Sequence, residues 1–204
     1  MNNSLRVFLL LATAALAAAP TLRAADDCCC CAESKAAPAA TLSARSIYQL
    51  DATWTDDRDQ PYKLAGLRGR PVVLALFFTS CGYACPRIVS DMTRIQATLP
   101  PAVRDRAVFV LVSFDDVRDT VAVLHTYRQQ HELNPATWVL LRGTPGDIRE
   151  LAAVLGVKYK KDALGLFQHS NLITILNPEG EIIHQRSGLE GGLAEAAQAV
   201  VASR

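Results

Sequence analysis

The sequence predicts an α/β domain with one central sheet flanked by helices. Two continuous apolar runs, at residues 72–79 and 107–113, are typical of strands that are buried on both faces of a sheet. Helical patterns with an apolar face follow each run, and the chain ends with two short strand patterns and a final helix. Strands that alternate with helices in this way indicate a largely parallel sheet.

The predicted elements follow one another as βαβ, then α, β, α, and finally ββα, the order of a thioredoxin-like sheet. A weak strand pattern at 47–55, a polar turn at 56–61 and a returning strand at 62–64 predict an N-terminal β-hairpin extension. The remaining predictions are a strand at 72–79, a helix at 86–99, a strand at 107–113, a helix from 119 or 120 to about 131, a strand at 138–141, a helix at 144–155, strands at 171–176 and 181–186 joined by a turn at 177–180, and a helix at 192–203.

Proline and glycine define several helix boundaries. Pro86 suits a first helical turn, where its missing N–H costs nothing, and Pro100 with Pro101 ends that helix. Thr144 before Pro145 is a helix start, and Gly156 is a helix stop.

Composition limits the class of protein. The chain has 204 residues, half of them hydrophobic, and a formal net charge of +1. This length suits one globular domain plus a leader. No Lys/Arg run offers a phosphate-binding stripe, so nucleic acid is not an expected partner.

The N-terminus predicts export. Arg6 precedes an apolar run at residues 7–19, and small residues follow at Ala24 and Ala25, so residues 1–25 resemble a signal peptide. An uncleaved membrane anchor is the alternative. Both interpretations predict a periplasmic or otherwise exported protein, soluble or tethered to the membrane. Residues 26–45 form a predicted flexible linker, and residues 46–204 the folded domain.

The chemistry-bearing segment is the turn that follows the first buried strand. It carries Cys81 and Cys85 at the start of a helix, whose partial positive charge stabilises thiolates. The C-x-x-x-C spacing is one residue wider than the C-x-x-C of thioredoxin-type redox sites. If the segment is helical, both sulfurs share one face, and the pair can hold a metal ion or close to a disulfide. Soft thiolates favour Cu(I), and mixed thiolate and imidazole ligation suits Cu(II) or Zn.

One histidine is a candidate third ligand. His125 and His131 fall on or near a predicted surface helix, and His184 falls in a hairpin strand, so all three are expected to be ordinary structural residues. His169 lies directly before the strand at 171–176, in a connection that passes beside the cysteine turn of a thioredoxin-like sheet. Spacing alone leaves both a ligand and a loop histidine open.

Three motifs in order carry a family resemblance over roughly residues 45–200. They are T-x-C-x-x-x-C-P at 79–86, S-x-D-x-x-R-D-T at 113–120, and H-S at 169–170 followed by N-P-E-G at 177–180. In these motifs the chain resembles the Sco/SenC family of copper-binding, thioredoxin-fold proteins.

The resemblance implies that Cys81, Cys85 and His169 bind one copper ion, as Cu(I) or Cu(II). It further implies delivery of copper to, or reduction of cysteines in, the copper centre of a respiratory oxidase subunit or a related cuproenzyme. An upstream copper donor or thiol reductant would be a second partner. Asp115 matches the family acid near the site, where electrostatic support, partner docking, an Asx turn or a helix cap are all open.

The chain departs from the family pattern at two positions. Gly82 stands where the family usually has proline after the first cysteine, and Asp116 stands where proline often follows the motif aspartate. Gly82 predicts a more flexible loop, with consequences for geometry and redox potential.

Four consecutive cysteines, Cys28–Cys31, lie outside the family domain. They are interpreted as an auxiliary soft-metal site that passes copper to the domain, as a lipid attachment point at Cys28, or as an oxidised run without function. Asp26 and Asp27 disfavour lipid attachment, because those positions require small or apolar residues.

Four functions compete at the Cys81 and Cys85 pair. A copper metallochaperone needs His169 as well. A thiol-disulfide oxidoreductase uses the two cysteines as its catalytic pair and tolerates loss of His169. A peroxiredoxin-like enzyme is disfavoured because its Pro-x-x-x-Thr-x-x-Cys approach is missing. A redox sensor, read through its copper or disulfide state, is the fourth.

Overall fold

The computed structural model describes residues 41–161 and 167–203. A seven-stranded mixed sheet in the order β2-β1-β5-β4-β3-β8-β9 is flanked by helices, and β6 and β7 form a separate two-stranded sheet. The strands are β1 (Trp54–Asp56), β2 (Pro61–Tyr62), β3 (Val72–Phe77), β4 (Val108–Ser113), β5 (Trp138–Arg142), β6 (Tyr159–Lys161), β7 (Phe167–His169), β8 (Leu172–Leu176) and β9 (Ile182–Ser187). The helices are α1 (Ala84–Thr98), α2 (Pro101–Arg104), α3 (Val121–Gln130), α4 (Pro145–Leu155) and α5 (Leu193–Ala202).

The centre of the sheet is the pair of apolar strands β3 and β4. Every residue of both strands is buried, which explains why their sequences are continuous apolar runs. They are parallel and in register from Val72 opposite Val108 to Phe77 opposite Ser113. Both strands therefore end on the same side of the sheet, where the loops to α1 and α3 begin. This side, at the carboxyl ends of β3 and β4, is called the carboxyl edge. The predicted α/β class with a central sheet flanked by helices is confirmed.

Helix ends follow their sequence signals, with one exception. Thr120 caps α3 by accepting the Val123 N–H, and Thr144 caps α4 by accepting the Asp147 N–H. Gly156 ends α4 in the left-handed region, at φ 72°. Helix α1 begins without an oxygen cap, because the N-cap residue Tyr83 makes no side-chain hydrogen bond.

The N-terminal hairpin extends the main sheet through β1, which pairs antiparallel with β5. The turn that follows β1 is fixed by a buried ion pair between Asp57 and Arg128 of α3, with Nη2 of Arg128 2.7 Å from Oδ1 of Asp57. Nη1 of Arg128 also donates to the carbonyls of Leu133 and Trp138, at 3.2 and 3.1 Å. This arginine therefore joins the hairpin to the helical layer.

The prediction of a strand over 47–55 was wrong in its first half. The segment Ile47–Gln49 is a 3-10 turn, and the strand begins at Trp54. Ile47 and Tyr48 are consecutive and both buried, whereas a strand alternates its side chains between two faces. A tight turn allows both residues to enter the core.

The returning strand predicted at 62–64 is Pro61–Tyr62, and its predicted end was wrong because Leu64–Leu67 forms a 3-10 turn that buries both leucines. Two further elements were not predicted. One is the short helix α2, which follows the two prolines. The other is the β6–β7 hairpin, in which Tyr159 pairs with His169. Its short strands have no apolar run, and they pair residues that lie six to ten positions apart in the sequence.

Residues 1–40 lie outside the described residues, as do 162–166 and 204. The signal peptide or membrane anchor at residues 1–25 and the suggested roles of Cys28–Cys31 are therefore still predictions. Within the described part of the chain, no helix is both long enough and apolar enough to cross a bilayer.

We expect Asp57→Asn to lower the free energy of unfolding by about 3 kcal/mol or more, because it leaves the Arg128 charge buried without its counter-ion. Urea unfolding followed by circular dichroism measures this change. The control is Asp59→Asn in the same turn, where the side chain is exposed and φ is 61°, a conformation that asparagine tolerates. A cost below about 1 kcal/mol for Asp57→Asn would contradict the account.

Candidate metal centre

Three side chains converge at the carboxyl edge of the sheet. Cys81 lies in the turn after β3, Cys85 in the first turn of α1, and His169 at the end of β7. Their sulfur and nitrogen ligand atoms all lie within 4.8 Å of one another, and Cys85 Sγ is 3.8 Å from His169 Nε2. Among the residues that the structure describes, no other group of three or more His, Cys, Asp or Glu side chains is arranged to hold a metal ion.

The sulfur of Cys81 occupies the position that a capping oxygen would take at the start of α1. The Cys85 N–H points at it, with 3.3 Å between nitrogen and sulfur. Burial raises the pKa of the Cys81 thiol, but hydrogen bonds from backbone N–H groups at the helix start, the largest from Cys85, outweigh it. The pKa of Cys81 therefore lies below its ordinary value, and its thiolate is stabilised.

Cys85 has the opposite environment. Its side chain is fully buried, and this burial raises the pKa of its thiol far above the ordinary value. Both cysteines are free thiols rather than a disulfide. Cys81 precedes the helix and only Cys85 is helical, so the two sulfurs meet through the bend of the turn rather than along one helix face.

His169 presents one ring nitrogen to the thiols. Its Nδ1 lies 3.1 Å from the carbonyl oxygen of Ser170. A carbonyl can only accept a hydrogen bond, so Nδ1 carries the proton and the lone pair of Nε2 faces Cys85. Burial lowers the pKa of His169, which keeps the imidazole neutral as a metal ligand requires.

Three phenylalanines form a wall behind the imidazole. Phe114 lies 5.0 Å and Phe78 5.9 Å from the His169 ring, as measured between ring centroids. Phe167 contacts both, with centroids at 5.3 Å from Phe78 and 4.9 Å from Phe114. Phe78 and Phe114 follow directly after β3 and β4, so the sheet itself positions the wall. It excludes water from one side of the cluster and restricts the rotation of the ring.

The residue that anchors the cysteine turn is Asp119, which the sequence marked only as a motif residue at the start of a helix. Its buried carboxylate accepts the Thr79 N–H at 3.0 Å, and also the hydroxyls of Thr79 and Ser113. Thr79 lies two residues before Cys81, so this carboxylate fixes the approach to the turn. The signal was present in the motifs, since Thr79, Ser113 and Asp119 all belong to them.

Asp115, the acid that the family resemblance singled out, has a local role. Its carboxylate accepts the backbone N–H of Arg118 at 3.3 Å and pairs with the side chain of the same arginine. This arrangement is an Asx-type turn that closes the loop after β4.

The other histidines lie away from the cluster, as expected. His125 contacts Gln129 and lies 3.8 Å from Asp57, on the hairpin side of α3. His131 packs on Tyr127, with ring centroids 4.1 Å apart. His184 belongs to β9. Of the four histidines, the structure brings only His169 to the thiols.

The donor set fits a copper ion. Two sulfurs and one neutral imidazole nitrogen are ligands that copper accepts in both common oxidation states, with soft thiolates favouring Cu(I). Two ligands bonded to one ion at about 2.0–2.3 Å lie no more than about 4.6 Å apart, so the 3.8 Å between Cys85 Sγ and His169 Nε2 is compatible with a shared ion. Cys81 and His169 are partly exposed and Cys85 is buried, so Cys81 is the sulfur that reaches the surface.

A cleft of about 450 Å³ opens beside the cluster, lined by Phe78, Ser80, Cys81, Gly82, Tyr83, Ala84, Phe167, Gln168, His169 and Asn171. A β-carbon added at Gly82 would meet no atom within 4 Å, so the loop does not need glycine for space. A larger, apolar cleft of about 790 Å³ between α1 and α5 has no cysteine, histidine or carboxylate in its lining, so we assign the chemistry to the smaller one.

A thioredoxin-like sheet with two thiols and an imidazole at its carboxyl edge defines a class of thiol proteins that handle metal ions or disulfides. The chain belongs to the SCO1/SenC family, whose model matches residues 42–202. A protein of Stutzerimonas stutzeri, provisionally named a copper-binding protein, is 30% identical over 142 residues, which cover 68% of this chain and 67% of that protein.

Solved structures share the fold. A protein of Aquifex aeolicus VF5 described as an electron transfer protein has a TM-score of 0.70 at 22% identity, over 79% of this chain and 95% of its own. Copper-bound ScoI of Arabidopsis thaliana has a TM-score of 0.63 at 24% identity, over 74% and 94%. Copper-bound ScoI of Bradyrhizobium japonicum has a TM-score of 0.63 at 22% identity, over 75% and 97%.

We expect Asp119→Asn to weaken Cu(I) binding by about 10-fold to 100-fold, because an amide cannot accept all the hydrogen bonds that hold Thr79 and the cysteine turn. Competition with a chromophoric Cu(I) chelator measures the affinity, in a background where Cys28–Cys31 are changed to serine. Asp115→Asn is the control, since Asp115 contacts Arg118 rather than Thr79. Equal losses in the two variants, or none in Asp119→Asn, would refute an anchoring role.

Proposed function

We propose that this protein is an exported copper metallochaperone. It binds one copper ion through Cys81, Cys85 and His169, and it delivers copper to, or otherwise matures, the copper centre of a respiratory oxidase or a related cuproenzyme. The observation that carries the proposal is the convergence of two thiol sulfurs and one imidazole nitrogen within 4.8 Å.

The names of similar proteins support this proposal. The Stutzerimonas stutzeri relative is provisionally named for copper binding, and two ScoI structures were solved with copper bound. A further structure of the same fold, BsSco, is described as a member of the Sco family of cytochrome c oxidase assembly proteins. Residues 1–25 support export, either as a cleaved signal peptide or as a membrane tether.

The differing environments of the ligands suit transfer of copper rather than permanent storage. Cys85 is fully buried and His169 is held against the phenylalanine wall, so these two ligands are fixed. Cys81 is partly exposed and lines the open cleft, where a partner's sulfur can approach the metal. Exchange of ligands therefore begins at Cys81, and the copper can leave without unfolding the site.

Reduction of a partner's disulfide is the second candidate, and the stabilised Cys81 thiolate favours it. The Cys81 thiolate attacks one sulfur of the partner disulfide and forms a mixed disulfide, while the other partner sulfur leaves as a thiolate. Cys85, once deprotonated, attacks Cys81, which closes the Cys81–Cys85 disulfide and releases the reduced partner. A separate thiol reductant must then reduce this disulfide. A partner that distinguishes the dithiol from the Cys81–Cys85 disulfide would make the protein a redox sensor.

The variant His169→Ala separates the two functions. With Cys28–Cys31 changed to serine, we expect its Cu(I) affinity to fall by about 100-fold or more, because one of three ligands is lost. We expect oxidation to the Cys81–Cys85 disulfide to persist, because the imidazole takes no part in that bond. Chelator competition and thiol counting measure the two properties, with His125→Ala, an exposed histidine of α3, as the control.

Function is tested by mixing the copper-loaded protein with a copper-free, soluble oxidase domain that carries the copper-centre cysteines. A metallochaperone transfers copper to the reduced domain, and His169→Ala does not. Equal Cu(I) affinities of the wild-type protein and His169→Ala would contradict the proposed ligand set. Reduction of the oxidised domain without any transfer of copper would favour the reductase.

A further inference from the structure

We propose that a docking face made of Tyr83, Val117, Lys158 and Lys160 lies at the same end of the sheet as the metal centre and binds an acidic protein surface. The inference rests on the proposed function, because it describes the partner with which the site exchanges sulfur ligands. It follows from where the structure places the exposed apolar groups and the excess positive charge.

The apolar part of the docking face consists of Tyr83 and Val117. Among the described residues, these are the two most exposed large hydrophobic side chains, at 82% and 69%. Tyr83 is in the cysteine turn after β3, and Val117 is in the loop after β4, so both lie in loops at the carboxyl edge of the sheet. Exposed tyrosine is typical of protein–protein contacts, where it provides much of the binding energy.

The basic part consists of Lys158 and of Lys160 in strand β6, the partner of the strand that carries His169. Tyr159 pairs with His169, and its ring stacks on Phe114 of the wall at 5.3 Å between centroids. Strand side chains alternate in direction, so Lys158 and Lys160 point away from this wall into solvent. These two lysines and His169 line one cleft of about 440 Å³.

The lysines have no carboxylate partner among the described residues, since no acidic oxygen lies within 4.0 Å of Lys158, Lys160 or Lys161. Lys161 places its ammonium 5.1 Å from the ring centroid of Phe167. Unpaired surface charges of one sign are available to a partner and produce a local positive field.

The neighbouring charges largely cancel. Arg118 pairs with Asp115, and Arg149 and Asp116 act on Tyr159 with opposite signs. In the sequence, the segment 158–162 contains three lysines and one aspartate, Asp162. The segment 158–162 therefore has a formal charge of +2, whereas the whole chain has a net charge of +1.

The positive field of the lysines and the exposed apolar groups together favour a partner protein that has carboxylates around its own thiols or copper site. Exchange of copper or of a disulfide requires a partner sulfur at Cys81, which a lipid surface does not supply. A positive field beside the reacting sulfur accelerates encounter with an acidic partner and disfavours a basic one.

The test uses two synthetic peptides, Glu-Glu-Cys-Glu-Glu and Lys-Lys-Cys-Lys-Lys, each carrying its cysteine as a mixed disulfide with 4-thiopyridine. The Cys81 thiolate attacks the peptide sulfur, a new disulfide forms, and the bond to the pyridine sulfur breaks. The leaving group takes the electron pair and a proton as 4-thiopyridone, whose absorbance gives the rate. The protein is the reduced full chain with Cys28–Cys31 changed to serine.

We expect the wild-type protein to react with the glutamate peptide on the order of 10-fold faster than with the lysine peptide at about 0.01 M ionic strength. The ratio should approach one at about 1 M. The variant K158Q/K160Q should lose most of the selectivity at low salt. All variants should react equally with neutral 4,4′-dithiodipyridine, which shows that Cys81 itself is unchanged.

The matched control is K63Q/R104Q, which also removes two positive charges but at distant positions. Lys63 follows the edge strand β2, four strand spacings or roughly 19 Å from β3. Arg104 ends α2, which precedes β4. It therefore lies near the amino ends of β3 and β4, opposite the carboxyl edge. This control should keep the wild-type selectivity.

Equal rates with the two peptides, or the same selectivity in K158Q/K160Q as in the wild type, would overturn the inference. Loss of selectivity in K63Q/R104Q to the same extent would overturn it too, because it would reflect net charge alone. Binding to phosphatidylglycerol vesicles that requires Lys158 and Lys160, with equal peptide rates, would assign the lysines to a lipid surface instead.

Copper stoichiometry is measured on the same proteins. A chain that binds no copper but keeps its preference for the glutamate peptide refutes the metallochaperone and retains the docking face. A chain that binds copper without any peptide preference refutes the docking face alone.

Discussion

The contact between the backbone N–H groups at the start of α1 and the sulfur of Cys81 is the constraint on which the site depends. Helices α3 and α4 begin with a threonine cap, whereas at the start of α1 the Cys81 sulfur accepts the hydrogen bond. Sulfur is a weaker acceptor than oxygen, so the helix forgoes stability at its N-terminus. The same N–H groups favour the thiolate, and this is the form of cysteine that binds metal ions and attacks disulfides.

The remainder of the domain holds this turn in place from three directions. The buried strands β3 and β4 end together and set the positions of Phe78 and Phe114. Asp119 fixes Thr79 at the entry to the turn from the side of α3. The small β6–β7 sheet brings His169 over the thiols and exposes its lysines beside them. Rigid support around one partly exposed sulfur is the arrangement that a protein needs to hold a metal ion and release it to a partner.

The sequence was sufficient for the central strands β3 and β4 and for the main helices, because continuous apolar runs and threonine, proline and glycine signals act locally. It was also sufficient to identify Cys81 and Cys85, whose spacing and position after a buried strand are visible in one segment. His169 required the family resemblance, because it reaches the thiols through a β6–β7 pairing that has no local pattern. The roles of Asp115 and Asp119 could not be distinguished from the motif, since both are acids in one loop and only the folded chain shows which one reaches Thr79.

X-ray absorption spectroscopy of the chain loaded with one equivalent of Cu(I), with Cys28–Cys31 changed to serine, tests the central claim most directly. We expect a first coordination shell of two sulfurs and one imidazole nitrogen, with the nitrogen absent in His169→Ala. A shell of sulfur ligands alone in the wild-type protein, or a nitrogen that persists in His169→Ala, would contradict it.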